Sequence, residues 1–277
     1  MSIVDKKACK PVTEPGKRAS KACLVSYIKD GGASIMLKAL GEPIRFLLKY
    51  GGIDFEDNRV EFDDWPKVKP TIFFGQLPIY EEDGKKVNQS IAISRYLGKK
   101  VNLVGNSDWE NLEIDAVVDT INDLRLKLVK YSYEKDEKIK EEVKGPLFNE
   151  ILPFYLEKLE KIAEASNGHL AINKLTWADF YFIAVLDYFN YMAEMDLLEN
   201  RPSLQKVKEN VTSIPVIKDW ITIRPDTYIR ARSNAVLPYG PESIMAVVTS
   251  AHRVANNPLE WILIELSTVF RTLGRRD

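Results

Sequence analysis

The residues best placed to do chemistry lie between Gly75 and Leu97, in the stretch GQLPIYEEDGKKVNQSIAISRYL. Gln89-Ser90 sits just ahead of a helical pattern, and the first turn of a helix presents unpaired N–H groups and a positive dipole end that favour an anion. Plain N-capping by Ser90 fits the same residues. Pro78 interrupts an apolar run; having no N–H to donate, it reads by itself as an edge-strand or bulge proline. Trp65 and Lys69, four residues apart, read alone as a solvated loop pair. Asp119 and Asp123, one helical turn apart with Asn122 beside them, read alone as a solvated acidic face. Cys9 and Cys23 have thirteen residues between them and form no C-x-x-C, which argues against a dithiol centre and a disulfide scaffold. His169 and His252 make no zinc spacing, and no metal is expected.

Those residues need elements to position them. LGEPIRFLLKYGG carries Pro43 near a first turn, Ile44, Leu47 and Leu48 on one face, and a Gly51-Gly52 stop, the grammar of a short helix. FEDNRVEF predicts a strand, and LPIYEEDGKKVN two strands about the Asp83-Gly84 turn. QSIAISRYLGKK predicts a helix that Ser90 caps and that stops near Gly98. After the linker VNLVGNSDWEN the pattern turns helical. Ile114, Val117, Val118, Ile121, Leu124 and Leu128 keep 3–4 spacing over 110–131, and a second helix over about 136–165 should bend at Pro146 and Pro153. LTWADFYFIAVLDYF is apolar nearly all round and predicts a central buried helix, opened by a Thr176-x-x-Asp179 capping box.

The 277 residues carry 39 Lys and Arg against 40 Asp and Glu, a net charge of -1, so no basic excess points to nucleic acid. No apolar run reaches the roughly 20 residues of a membrane span. The basic N-terminus lacks the apolar stretch of a secretory signal. With the sparse cysteines this implies a reducing, cytoplasmic setting.

Seven ordered segments, LGEPIRFLL, DDWPKVKP, FGQLPIYEEDG, QSIAISRYL, IDAVVDTINDLR, LTWADFYF and IPVIKDWI, resemble the sigma class of glutathione S-transferases over about residues 39–227. The resemblance implies an α/β thioredoxin-like N-terminal domain (37–101), an all-α helical domain (108–227) and a homodimer. Residues 1–36 and 228–277 are an atypical N-terminal segment and an extra tail. It further implies a cis bond before Pro78, which would leave Leu77 able to pair with the peptide backbone of glutathione. Gln76, Leu77 and Pro78 would flank the cysteine of glutathione. Gln89 and Ser90 would take its γ-glutamyl carboxylate, and Trp65 and Lys69 its glycine end. Asp123 would reach the γ-glutamyl ammonium across the dimer. Asn122 stands where some relatives carry an acid near a divalent ion, so no metal is implied here.

The chain also departs from that pattern. Sigma enzymes place a hydroxyl donor eight residues before the glutamate matching Glu42, and that position is Ser34. Tyr27, in CLVSYIKDGG, is the alternative donor, on a first strand displaced by a seven-residue insertion. A third reading sets residues 1–36 apart from the ancestral domain. Leu40 replaces an arginine, and Lys130 an aromatic, of the prostaglandin-binding site, which favours general conjugation over a specific isomerase. In the tail, Leu259, Ile262, Leu266, Val269 and Leu273 form a helical stripe. The function implied is conjugation of glutathione to small hydrophobic electrophiles, with peroxidase or prostaglandin isomerase as side activities. The alternative is a weakly active or inactive protein of the same fold, with a crystallin-like structural or interaction role.

Overall fold

The computed structural model describes residues 22–27, 40–60, 64–224, 229–230 and 236–237. Strand β1 (Ala22–Tyr27) runs parallel to β2 (Phe55–Val60) and antiparallel to β3 (Ile79–Glu82), which turns back into β4 (Lys85–Asn88). The sheet order is β2–β1–β3–β4. A parallel neighbour needs a crossover, and helix α1 (Glu42–Tyr50) lies in it. Its Ile44, Leu47 and Leu48 are fully buried, and it stops where Gly52 takes a φ of 59°. At the β3–β4 turn Asp83 and Gly84 both have positive φ, 52° and 76°, the backbone that a two-residue hairpin of matching twist requires. Because β1 pairs on both sides, residues 22–27 belong to the sheet.

Between β2 and β3 lie α2 (Trp65–Val68) and a 3-10 turn (Lys69–Thr71); α3 (Ser90–Lys100) follows β4. The helical part comprises α4 (Asp108–Ser132), α5 (Glu137–Pro146), α6 (Leu152–Ala165), α7 (Trp177–Ala193), α8 (Pro202–Thr212) and α9 (Pro215–Ile223). The bend expected from Pro146 and Pro153 is a π-helical stretch, Leu147–Ile151, joining α5 to α6. Helix α7 is the hub, as its apolar sequence predicts: Trp177, Phe180, Tyr181, Phe182, Val185 and Phe189 are almost wholly buried against α1, α4 and α8. Helix α8, which the sequence reading left unassigned, carries Leu204, Val207 and Val211 into the same core. The apolar stripe of the tail lies outside the described residues.

Two devices join the α/β and helical parts. At Gly98 a Cβ would come within 2.7 Å of the Trp177 side chain, so α3 and α7 meet this closely only because Gly98 has none. Glu42 accepts from Trp220 Nε1 at 3.0 Å, from Arg224 Nη1 at 2.7 Å and from Arg45 Nη1 at 3.2 Å. Arg45 in turn grips Asp57 of β2 at 3.0 Å, and Arg224 reaches Asp187 of α7 at 3.1 Å.

Candidate glutathione site

One end of the sheet gathers most of the chemistry. Ile79 of β3 pairs with Asn88 of β4, so Pro78 and Gln89 are the next residues on facing strands. On the other side Val25 pairs with Ile79, and Tyr27 and Leu77 lie two positions further along that ladder. Tyr27, Leu77-Pro78 and Gln89-Ser90 thus stand at the same end of three adjacent strands. Tyr27 is the last residue of β1 and pairs with Val60 of β2. Ser34 lies outside the described residues.

The Leu77–Pro78 bond is cis. Among the described residues, the backbone N–H and C=O of Leu77 have no backbone partner. Such groups are costly to leave unpaired unless water or a ligand takes them. Asn88 Nδ2 donates to the Gln76 carbonyl at 2.7 Å and ties this loop to the end of β4. The Gln76 side chain is exposed.

The expectation that Ser90 caps α3 is corrected. Gln89 is the capping residue, with φ 81° and ψ 96°, and Ser90 is the first helical residue. Neither side chain makes a capping bond. The positive φ of a non-glycine residue is uncommon and marks a position that its surroundings hold in place. The consequence is chemical: the first N–H groups of α3 have no side-chain cap, and Ser90, its first helical residue, is buried.

Trp65 is buried on α2, and the Lys69 ammonium stands 6.0 Å from its ring centroid. Lys69 packs along Gly75, where a Cβ would lie 3.4 Å from the lysine side chain. Among the described residues Lys69 has no carboxylate partner, which leaves a cation beside the Gln76–Pro78 loop. Asp123 and Asp119 lie exposed on α4, and Asn122 accepts from Arg125 Nε at 2.8 Å. Among the described residues no group of three or more His, Cys, Asp or Glu is arranged to hold a metal ion.

Tyr181 was missed by the sequence reading, which counted it as core. It is fully buried on α7, yet among the described residues its hydroxyl has no hydrogen-bond partner. Burial pushes its pKa up to about 12, against the pull of Arg125 and of the Ser90 hydroxyl, which lies close without completing a hydrogen bond. Only an apolar helix laid across the start of α3 makes this neighbour, so no local signal announces it.

The family model for the glutathione S-transferase N-terminal domain matches residues 34–99, opening after β1, and that for the C-terminal domain matches 122–224. A glutathione S-transferase of Anopheles gambiae is 52% identical over 193 residues, 70% of this chain and 95% of that protein. The human hematopoietic prostaglandin D synthase is 37% identical over 194 residues, 69% of this chain and 94% of that one. Among solved structures, prostaglandin synthase D of Nilaparvata lugens superposes with a TM-score of 0.67 at 40% identity, over 74% of this chain and 98% of that chain. With the thioredoxin-like sheet, the helical part and these matches agreeing over the same residues, the chain belongs to the glutathione S-transferase family.

Proposed function

We propose that this protein conjugates glutathione to small hydrophobic electrophiles, and that the end of the sheet holding Leu77, Pro78 and Ser90 is where the tripeptide binds. The observation that carries this reading is the Leu77 backbone, which has no backbone partner among the described residues, standing beside a helix start without a side-chain cap and a lysine with no carboxylate partner among them. An extended peptide pairs its cysteine backbone with Leu77 as an added strand. Its γ-glutamyl carboxylate meets Ser90 and the N–H groups of α3, helped by Gln89. Lys69 takes the glycine carboxylate, Trp65 walls that end, and Gln76 lies alongside.

Tyr27 is the donor that fits best, because it ends the strand next to Leu77. A thiol with a pKa near 8.5 is only about 3% thiolate at pH 7, and lowering that value by about 2 units requires about 2.7 kcal/mol. One hydroxyl hydrogen bond to a charged sulfur is of that order. The thiol proton leaves to solvent, the thiolate attacks the electrophilic carbon, and the leaving group departs with its bonding pair as the C–S bond forms.

The protein acts as a homodimer in this reading. Asp123 is exposed on α4 and meets the γ-glutamyl ammonium of a glutathione held by the partner subunit. Phe73 and Phe74, 88% and 65% exposed beside the Gln76–Pro78 loop, are apolar surface that a second copy would cover. Among the described residues no helix is long and apolar enough to cross a membrane, and a cytoplasmic setting fits the sparse cysteines.

The test is retention of the purified chain on immobilised glutathione, followed by turnover of an activated chloronitrobenzene. Retention with turnover well above the uncatalysed thiolate rate is expected. Retention without turnover would leave a glutathione-binding protein of transferase fold and no enzyme.

A further inference from the structure

Helices α3 and α7 pack against each other. Ser90 and Ser94, one turn apart on α3, are buried, and so is Tyr181 on α7. Among the described residues the Ser94 and Tyr181 hydroxyls have no hydrogen-bond partner. Buried groups of this kind are few in native proteins, and each asks for a reason.

Tyr181 is held from one side by Trp177, edge to face with ring centroids 6.4 Å apart, and Trp177 is in turn seated where Gly98 of α3 has no side chain. That packing leaves the hydroxyl at the far end of the ring little freedom. It lies close to the Ser90 hydroxyl without completing a bond. Two charged groups of α4 act on it with opposite sign, Arg125 and Asp119. Arg125 is engaged with Asn122, and among the described residues no carboxylate accepts from Tyr181. Burial pushes the phenol pKa up to about 12, so the group stays protonated and can only gain by donating.

We propose that Tyr181 is a positioning residue for the γ-glutamyl carboxylate of glutathione and acts through Ser90: its O–H donates to Ser90 Oγ while the Ser90 O–H donates to the carboxylate. This rests on glutathione binding at the Leu77 and Ser90 end of the sheet. A serine hydroxyl has one proton to give and two lone pairs to fill. Ser90 makes no capping bond that would fix its rotamer. An arriving carboxylate claims the proton and turns Oγ, so that a lone pair faces the Tyr181 O–H. The second bond then polarises the first, and it satisfies a donor that otherwise stays buried and unpaired. Tyr181 does not itself touch the ligand, being wholly buried, whereas Ser90 keeps 7% exposure.

The experiment is calorimetric titration of glutathione into the full chain and its variants, with thermal melts and initial rates against an activated chloronitrobenzene on the same preparations. Tyr181→Phe keeps the ring and should weaken glutathione binding about fivefold or more. The change should appear in KM for glutathione and not in kcat. The melting temperature should not fall, because the hydroxyl removed is buried and unpaired. On top of Ser90→Ala, Tyr181→Phe should weaken glutathione no further, whereas on top of Ser94→Ala its full effect should persist. An unchanged affinity in Tyr181→Phe, an equal further loss on top of Ser90→Ala, a drop in kcat alone, or a lower melting temperature would each overturn the proposal. A wild-type chain that does not bind glutathione would strike the cleft assignment and the role of Tyr181 with it; wild-type binding that Tyr181→Phe leaves unmoved would strike only the latter.

Discussion

Ser90 and Tyr27 separate binding from folding at the level of single groups. Because the Ser90 hydroxyl makes no capping bond, Ser90→Ala should change stability by less than about 0.5 kcal/mol, against the roughly 1 kcal/mol a true cap would lose. The same variant should weaken glutathione binding about tenfold or more, the loss of a hydrogen bond to a carboxylate. Denaturant melts and glutathione titrations measured side by side check it; a large stability loss with unchanged affinity would make Ser90 structural. Tyr27→Phe should raise the pKa of bound glutathione, read as thiolate absorbance against pH, and lower kcat/KM near pH 7 by about tenfold or more. An unchanged thiol pKa would remove Tyr27 from the reaction.

Helix α7 illustrates what an element needs beyond an apolar face. Asp179, fully buried in its first turn, accepts from the Leu170 N–H at 2.8 Å, the Thr176 N–H at 2.7 Å and the Thr176 hydroxyl at 3.2 Å. Burial pushes its pKa up to about 6, and those three donors only partly oppose it. A raised carboxyl pKa means that between about pH 4 and 6 the native state keeps a proton that the unfolded chain has lost. The contribution of Asp179 to stability is thus full at low pH and falls as pH rises through that window, by up to about 1.4 kcal/mol per unit. The stability difference between wild type and Asp179→Asn should shrink from pH 4 to pH 6 and then level off. A difference that widens with pH would mean that the donors outweigh burial.

Over the whole molecule, the α/β and helical parts are tied by a buried carboxylate. Glu42→Ala would leave Arg45 and Arg224 short of a counter-charge in the interior, and a loss of about 3–5 kcal/mol is expected. Thermal melts test this directly; a loss under 1 kcal/mol would show that the network relaxes freely around the gap. Assembly has its own signature. Asp123→Ala should weaken glutathione binding about tenfold without altering the sedimentation of the protein, since the carboxylate is exposed. If sedimentation changes together with affinity, Asp123 serves the interface and not the ligand.

The elements were legible in the sequence because local chemistry dictates them: the Asp83-Gly84 turn, the Gly51-Gly52 stop, the Thr176–Asp179 box and the apolar run of α7 all lie where their residues point. Helix α8 escaped, since its short apolar face is drowned by charged neighbours. From Pro78, Ser90 and Lys69 taken alone, periodicity suggests an edge proline, a cap and a loop lysine; only their joint resemblance to a family suggested a ligand. Tertiary structure decided what lies next to what. It put Gln89 rather than Ser90 at the cap, seated residues 22–27 in the middle of the sheet, and set the Tyr181 hydroxyl beside Ser90 from 91 positions along the chain. The reason is physical: turns, caps and amphipathic faces are written within a few residues, whereas a binding site is a meeting of strand ends and helix starts that only pairing and packing bring together.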